Sequence, residues 1–340
     1  MQFLAAPLLG ELSDVYGRKR LLTLGVGVLA ISQICFGFGV EIHSVGLIFI
    51  SRLIAGLAGA NFSVAQAAIA DITGPKDRAK NFGLIGAAFG IGFIIGPLLG
   101  GWIAGLLHNP ATPFWFAGLL GVVNVLFITV MLPETNKNPH GRQTFTMWKG
   151  FRNIQTAFRD VDARPVYAAS FLYMSGFAFF TSFMGVFLVA RFGFDEAGIG
   201  TYFGAVGAWV IVTQLFILRI LAASYSERAI LRYAMLVMSV AVFAYPFLPD
   251  ATWVYFTMPF IAVPQGLSMA NLTSLISKSV SSERQGAALG INGSLLALSQ
   301  GLIPLVAGLG SGIIGLTAPF IAGAILVCIA WSILFVFSRR

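Results

Sequence analysis

The chain has 340 residues, of which 57% are hydrophobic and only 10% charged, with a mean hydropathy of +0.86. Soluble globular domains carry about 25% charged residues, so a water-facing surface cannot be assembled from this composition, and the chain reads as a polytopic membrane protein. Its net charge of +8 is accounted for by membrane topology and anionic lipid, without nucleic acid.

In chain order, an apolar piece over residues 1–9 runs into the charged segment Gly10-Glu11-Leu12-Ser13-Asp14-Val15-Tyr16-Gly17-Arg18-Lys19-Arg20, read as a short polar turn. The piece is too short to span, lacks a basic leader and a small-residue cleavage site, and reads as the end of a helix rather than a signal peptide. The chain is therefore expected to start inside a helix, with an earlier helix missing. At about 20 apolar residues per crossing, spans are expected near 21–40, 45–70, 82–106, 114–132, 166–190, 199–221, 229–248, 252–277, 286–308 and 313–337. Cys35 and Cys328 fall inside apolar runs, and His43, His108 and His140 lack ligand-like spacing, so neither a disulfide nor a metal site is expected.

On alternate loops lie Arg18, Lys19 and Arg20; Lys76, Arg78 and Lys80; six basic residues between Lys137 and Arg164; Arg219, Arg228 and Arg232; Lys278 and Arg284; and Arg339 with Arg340. That places 19 of the 21 basic residues on one side, leaving Arg191 opposite and Arg52 within a span. By the positive-inside rule this side is cytoplasmic, which assigns residues 10–20, 133–164 and the C-terminus to the cytoplasm. The long polar stretch divides the chain into an N-terminal helical bundle over 1–132, a linker over 133–164 and a C-terminal bundle over 165–340. Within the linker, Phe145, Trp148, Phe151, Ile154 and Phe158 recur every three or four residues beside Lys149, Arg152 and Arg159, the pattern of an amphipathic helix on the membrane surface. Across the divide, Gly83, Gly86, Pro97 and Gly101 are matched 207 residues later by Gly290, Gly293, Pro304 and Gly308, and an acid–base pair, Asp77-Arg78 or Glu283-Arg284, precedes each set. Two same-orientation halves joined by a long loop form a parallel repeat.

The opening segment follows the pattern G-x-L-x-D-R-x-G-R-K/R of the major facilitator superfamily. With Arg52-Leu53-Ile54-Ala55-Gly56, Ala70-Asp71-Ile72-Thr73, Gly96-Pro97-Leu98-Leu99-Gly100-Gly101 and Glu283-Arg284-Gln285-Gly286 in that order, the chain resembles the drug–proton antiporters of this family, in particular the tetracycline-resistance branch of bacterial efflux pumps. The resemblance covers the stretch from the middle of the family's second helix to the end of its twelfth. It implies an all-α major facilitator fold, two pseudo-repeated six-helix bundles here lacking the first helix. It also implies a monomeric transporter of the bacterial inner membrane that is not an enzyme and takes no cofactor beyond the proton gradient. The expected activity is proton-coupled efflux of a drug-like or amphiphilic small molecule by alternating access. The alternatives are uptake of a small organic solute, or a transport-inactive truncated sensor.

The resemblance assigns a cytoplasmic gate to Gly10, Asp14, Gly17, Arg18 and Lys19. The glycines permit close approach and unusual dihedrals, while Asp14 is an acceptor able to cap a helix or pair with a cation. The implied latch partner of Asp14 is the eleventh helix near Gln285, and Val15 stands where the family usually has Arg. Arg52, whose charge inside a bilayer costs at least ~2.5 kcal/mol unless paired or solvated, is the proton-coupling candidate, with snorkelling to the surface as the plainer reading. Gly96, Pro97, Gly100 and Gly101 resemble the antiporter signature, a leak-tight, hinging seam. Asn61, Gln66, Gln265 and Asn271 are candidates for a central substrate pocket, or for hydrogen bonds between helices. No acidic residue reaches a span centre, and Ile31-Ser32-Gln33 stands where the resembled pumps carry a drug-binding Asp, which argues against tetracycline as the substrate. No nucleotide-binding motif or nucleophile–base arrangement is present.

Overall fold

A chain this apolar must satisfy its backbone hydrogen bonds internally, and helices do so within one segment. The computed structural model describes residues 2–73, 78–136, 155, 163–280 and 285–335, and among these no strand occurs. The helices are α1 (Gln2–Tyr16), α2 (Arg18–Glu41), α3 (Val45–Ala58), α4 (Asn61–Ile72), α5 (Arg78–Leu107), α6 (Thr112–Met131) and α7 (Arg164–Phe192). They continue with α8 (Glu196–Val212), α9 (Leu218–Ser224), α10 (Glu227–Ala244), α11 (Ala251–Lys278), α12 (Gln285–Ile314) and α13 (Ala318–Phe335). Among the described residues, eight stretches are long and apolar enough to cross a membrane: α2, α3 with α4, α6, α7, α8 with α9, α10 with the turn after it, most of α12, and α13. The 28 residues of α11 are long enough to cross, but two prolines and the polar Gln265, Ser268 and Asn271 dilute its apolar character. The expected amphipathic helix over 145–158 and the pairs at 77–78 and 283–284 fall wholly or partly outside the described residues.

One expectation is corrected, and two expected spans prove irregular inside. The polar segment 10–20 is not an extended turn: α1 runs through Gly10 to Tyr16, α2 starts at Arg18, and Gly17 alone, at φ +94°, breaks the helix. Asp14 and Arg18 sit four residues apart and pair, which favours helix across this stretch. The expected span 45–70 is interrupted at Gly59–Ala60, where α3 ends and α4 begins, and Gln2 Nε2 donates to the Gly59 carbonyl at 3.3 Å. The expected span 199–221 contains a π-helical turn, Thr213–Ile217, between α8 and α9. Gln214 Nε2 donates from this turn to the Gly266 carbonyl at 3.1 Å. The repeat holds at the level of helices: α5 and α12 are each 30 residues, and their bounds and interior prolines, Pro97 and Pro304, are offset by the same 207 residues.

The described chain forms two compact units, one comprising 1–150 with 196–201 and the other 151–195 with 202–340. In the first, α2 packs on α6, α3 and α4. A Cβ on Gly118 would lie 2.5 Å from Ile34 Cγ1, and one on Gly121 would lie 2.7 Å from Ala30 Cβ, so α2 and α6 meet almost backbone to backbone. In the second unit, a Cβ on Gly176 of α7 would lie 2.6 Å from the Gly323 carbonyl of α13. Beside this contact Phe180 meets Tyr245 and Phe320 edge-on, at ring separations of 5.1 and 5.8 Å. Lipid tails are as apolar as side chains, so such small-residue seams supply the packing that holds membrane helices together.

Gly176→Ala should lower the thermal unfolding midpoint of the detergent-solubilised protein, consistent with an overpacking cost of about 1–3 kcal/mol. Gly185→Ala, where a Cβ meets nothing within 4 Å, should leave the midpoint unchanged or slightly raised.

Candidate functional site

The charged α1–α2 junction is organised around Arg18, whose side chain is only 10% exposed. Its Nε donates to Asp71 Oδ2 at 3.0 Å, one terminal nitrogen pairs with Asp14 Oδ1, and the other donates to Ser13 Oγ at 2.5 Å and the Gly10 carbonyl at 3.4 Å. A guanidinium stays charged and presents a planar fork of donors, and this fork ties the end of α1 to the end of α4. The residue before α2, Gly17, offers no capping side chain. Glu134, three residues beyond α6, supplies the cap instead: its two oxygens accept the Arg18 N–H at 2.9 Å and the Lys19 N–H at 3.2 Å. A Cβ on Gly17 would fall on the Glu134 carboxylate, so glycine is required here both for its dihedral and for its missing side chain. Thr135 Oγ1 donates to Asp71 Oδ2 at 3.2 Å, and Asn136 Nδ2 donates to the Asp14 carbonyl at 2.8 Å. Partial burial raises the Glu134 pKa, but backbone N–H groups of Asn136, Arg18, Lys19 and Thr135 outweigh it and hold the carboxylate below its ordinary range.

Of the expected gate residues, Asp14, Gly17 and Arg18 act together, and Lys19 contributes its backbone N–H. Gly10 is corrected: it lies inside α1, and a Cβ there would meet nothing within 4 Å, so its role is to present a carbonyl to Arg18. Asp14 pairs with Arg18 rather than capping α2, and the side chain of Gln285 lies outside the described residues. By sequence Glu134, Thr135 and Asn136 belong to the linker, and Asp71 is only part of a motif. Their sole sequence signal is a polar Glu-Thr-Asn directly after an apolar span, 116 residues from the partner it serves.

Arg52 lies on an exposed part of α3, its Cζ 3.6 Å above the Phe36 ring and 5.5 Å from that of Phe114. The two rings are themselves 4.3 Å apart, and among the described residues no carboxylate pairs with this arginine. Aromatic faces offset part of the cost of an arginine this far along an apolar helix. At the antiporter-like motif, a Cβ on Gly101 would lie 2.5 Å from the Glu196 carbonyl and 2.6 Å from Gly200 Cα, a contact within the first unit. Trp102 Nε1 donates to Thr201 Oγ1 beside it at 3.2 Å. Among the described glycines of α5, close approach occurs at Gly101 and Gly105: Gly96 meets nothing within 4 Å, Gly100 makes only an ordinary contact, and the Pro97 carbonyl lies close to Gly200 of α8. The run of small residues is therefore not one continuous seam.

The pocket candidates divide between the units. Asn61 and Gln66 are five residues apart on α4, about 140° around the helix, so they do not share a face. Asn61 is buried, lies across Gly25 of α2, and among the described residues neither end of its amide has a hydrogen-bond partner. Gln265 and Asn271 are likewise about 120° apart on α11. Gln265 Oε1 accepts from Tyr173 Oη at 2.9 Å, and Asn271 Nδ2 donates to its own helix at Leu267 O, 2.7 Å away. Both are therefore at least partly committed to holding helices.

Apolar crossings, a helix repeat and an ionic junction at one helix end are the features of a multi-pass membrane protein built for transport. The chain belongs to the Major Facilitator Superfamily, whose profile matches residues 1–304. That family is made up of transporters rather than enzymes. The chain is 31% identical to the class G tetracycline resistance protein of Vibrio anguillarum, over 90% of this chain and 76% of that protein. It is 27% identical to multidrug resistance protein 1 of Bacillus subtilis, over 91% of this chain and 77% of that one. It is 25% identical to the quinolone resistance protein NorA of Staphylococcus aureus, over 90% and 77% of the two chains. Its fold is similar to that of the crystal structure of the human organic anion transporter MFSD10 (TETRAN), with a TM-score of 0.73 and 25% identity over 98% of this chain and 80% of that chain.

Because the Glu134 carboxylate is held below its ordinary range, its stabilising contribution is present above the unfolded-state pKa, about 4.3, and is lost as pH falls through the depressed folded value. The unfolding midpoint of the wild type should therefore fall more steeply on acidification below about pH 5 than that of Glu134→Gln. Arg18→Lys should impair function nearly as much as Arg18→Ala, because an ammonium cannot serve Asp14, Asp71 and Ser13 in one plane.

Proposed function

We propose that the chain is a proton-coupled exporter of amphiphilic, drug-like molecules that works by alternating access in a bacterial inner membrane, with the α1–α2 junction on the cytoplasmic side. The Arg18 cluster carries this reading: a nearly buried cation shared between Asp14 and Asp71 serves as an ionic latch, and release of either anion would loosen it. The drug-resistance names of the relatives support export, and the few neutral polar groups in aromatic-rich spans suit an amphiphile better than a sugar. The Gly101–Gly200 contact supports a close-packed seam at that one point of the antiporter-like motif. Arg52, cradled by Phe36 and Phe114, is proposed to take part in proton coupling. Asn61, with its unpartnered buried amide, leads the substrate-contact candidates.

Everted membrane vesicles carrying the full-length protein should accumulate ethidium when an acid-inside gradient is imposed and lose it when nigericin collapses that gradient. Accumulation indifferent to the gradient would sink the antiport reading, and movement only in the opposite direction would favour uptake. Asp14→Asn should slow transport by about tenfold or more, the scale on which loss of a partner disturbs a buried ion cluster, at unchanged abundance in the membrane. A parallel loss of transport and abundance would reduce Asp14 to a folding residue.

A further inference from the structure

Directly after α6, three consecutive residues bind three different helices. Glu134 caps the N-terminus of α2, Thr135 reaches Asp71 near the end of α4, and Asn136 reaches the Asp14 carbonyl near the end of α1. The segment is also tied to itself, since the Asn136 N–H donates to Glu134 Oε1 at 2.9 Å. Leu132 takes an extended conformation, φ −84° and ψ 118°, and so turns the chain out of α6 towards this junction. Each contact falls on a residue next to, or part of, the Arg18 cluster.

We propose that Glu134-Thr135-Asn136 is a strap that sets the position of the α1–α2 junction, with Glu134 as its positioning residue. Gly17 and Glu134 form one fitted pair. A residue at φ +94° with no side chain leaves two N–H groups of α2 open, and the carboxylate fills the space a Cβ would need while accepting both. The strap closes a ring through α1, α2, α4 and α6 that the Arg18 side chain alone does not close, because among the described residues its hydrogen bonds and ion pairs reach Gly10, Ser13, Asp14 and Asp71 and not α6. A part for the strap in gating would rest on the transport reading, whereas the strap itself does not.

The test uses the full-length protein with Cys35 and Cys328 replaced by serine and Leu22→Cys as reporter. Leu22 is buried against Val64 and Ala68, with Leu9 and Leu132 packed alongside, one turn beyond the strap. Labelling by a membrane-impermeant maleimide should accelerate by about five- to tenfold in Glu134→Ala, the population change expected on losing a helix cap. Glu134→Gln, which keeps an acceptor oxygen and the folded shape, should give a smaller acceleration. Because Gly17→Ala and Glu134→Ala strike the same contact, the double variant should unfold at no lower temperature than Gly17→Ala alone. Unchanged labelling in both Glu134 variants, or additive losses in the double variant, would overturn the strap. If labelling responds as expected while wild-type vesicles move no ethidium, the strap stands and the transport reading falls.

Discussion

Arg18 is a cation with nine-tenths of its side chain removed from solvent, and that charge organises one end of the first unit. Removing one partner from a buried ion pair typically costs 3–5 kcal/mol, against about 0–1 kcal/mol for an exposed surface pair. Such a charge therefore dictates where its neighbours must be. Asp14 meets it from one turn back along the chain, Ser13 and the Gly10 carbonyl take its other terminal nitrogen, and Asp71 brings in the end of α4. The polar residues after α6 then settle on Asp71, on Asp14 and on the open N–H groups of α2. The Arg18 side chain thus joins the ends of α1, α2 and α4, and the residues after α6 add the fourth helix end.

Away from that junction, packing depends on small residues instead of charge. Gly121 over Ala30, Gly176 over Gly323 and Gly101 over Gly200 allow backbone contacts that any larger side chain would block. Helix irregularities are tolerated where a side chain supplies the missing bond. Gln2 reaches the carbonyl at the α3–α4 break, and Gln214, within the π-helical turn, reaches the Gly266 carbonyl of α11. Gln214 thus ties its turn to α11, and Gln265, bonded to Tyr173, ties α11 to α7.

Much of the architecture was legible because its signals are local or periodic. Apolar runs of spanning length and the 207-residue repeat survive in the structure as helices, down to the matched prolines of α5 and α12. The candidate site was only half legible. Asp14, Gly17 and Arg18 stand within five residues of one another, so a motif can hold them. Glu134 and Asp71 are distant in sequence, and no spacing rule connects a carboxylate to a helix N-terminus 116 residues away. The polar look of residues 10–20 also misled, because a charged face along a helix and a charged turn have the same composition.

From the sequence alone follow a helical membrane protein, its family, the helices behind the expected spans and the residue types at the ionic junction. Those properties depend on hydrophobic length, on charge bias and on short motifs, all of which are written along the chain. The tertiary structure alone decided which acid caps α2, that a single glycine separates α1 from α2, and which of the many glycines lie at a seam. Capping and close packing are contacts between segments remote in sequence, set by where helix ends meet in space, and the order of residues does not encode them pair by pair.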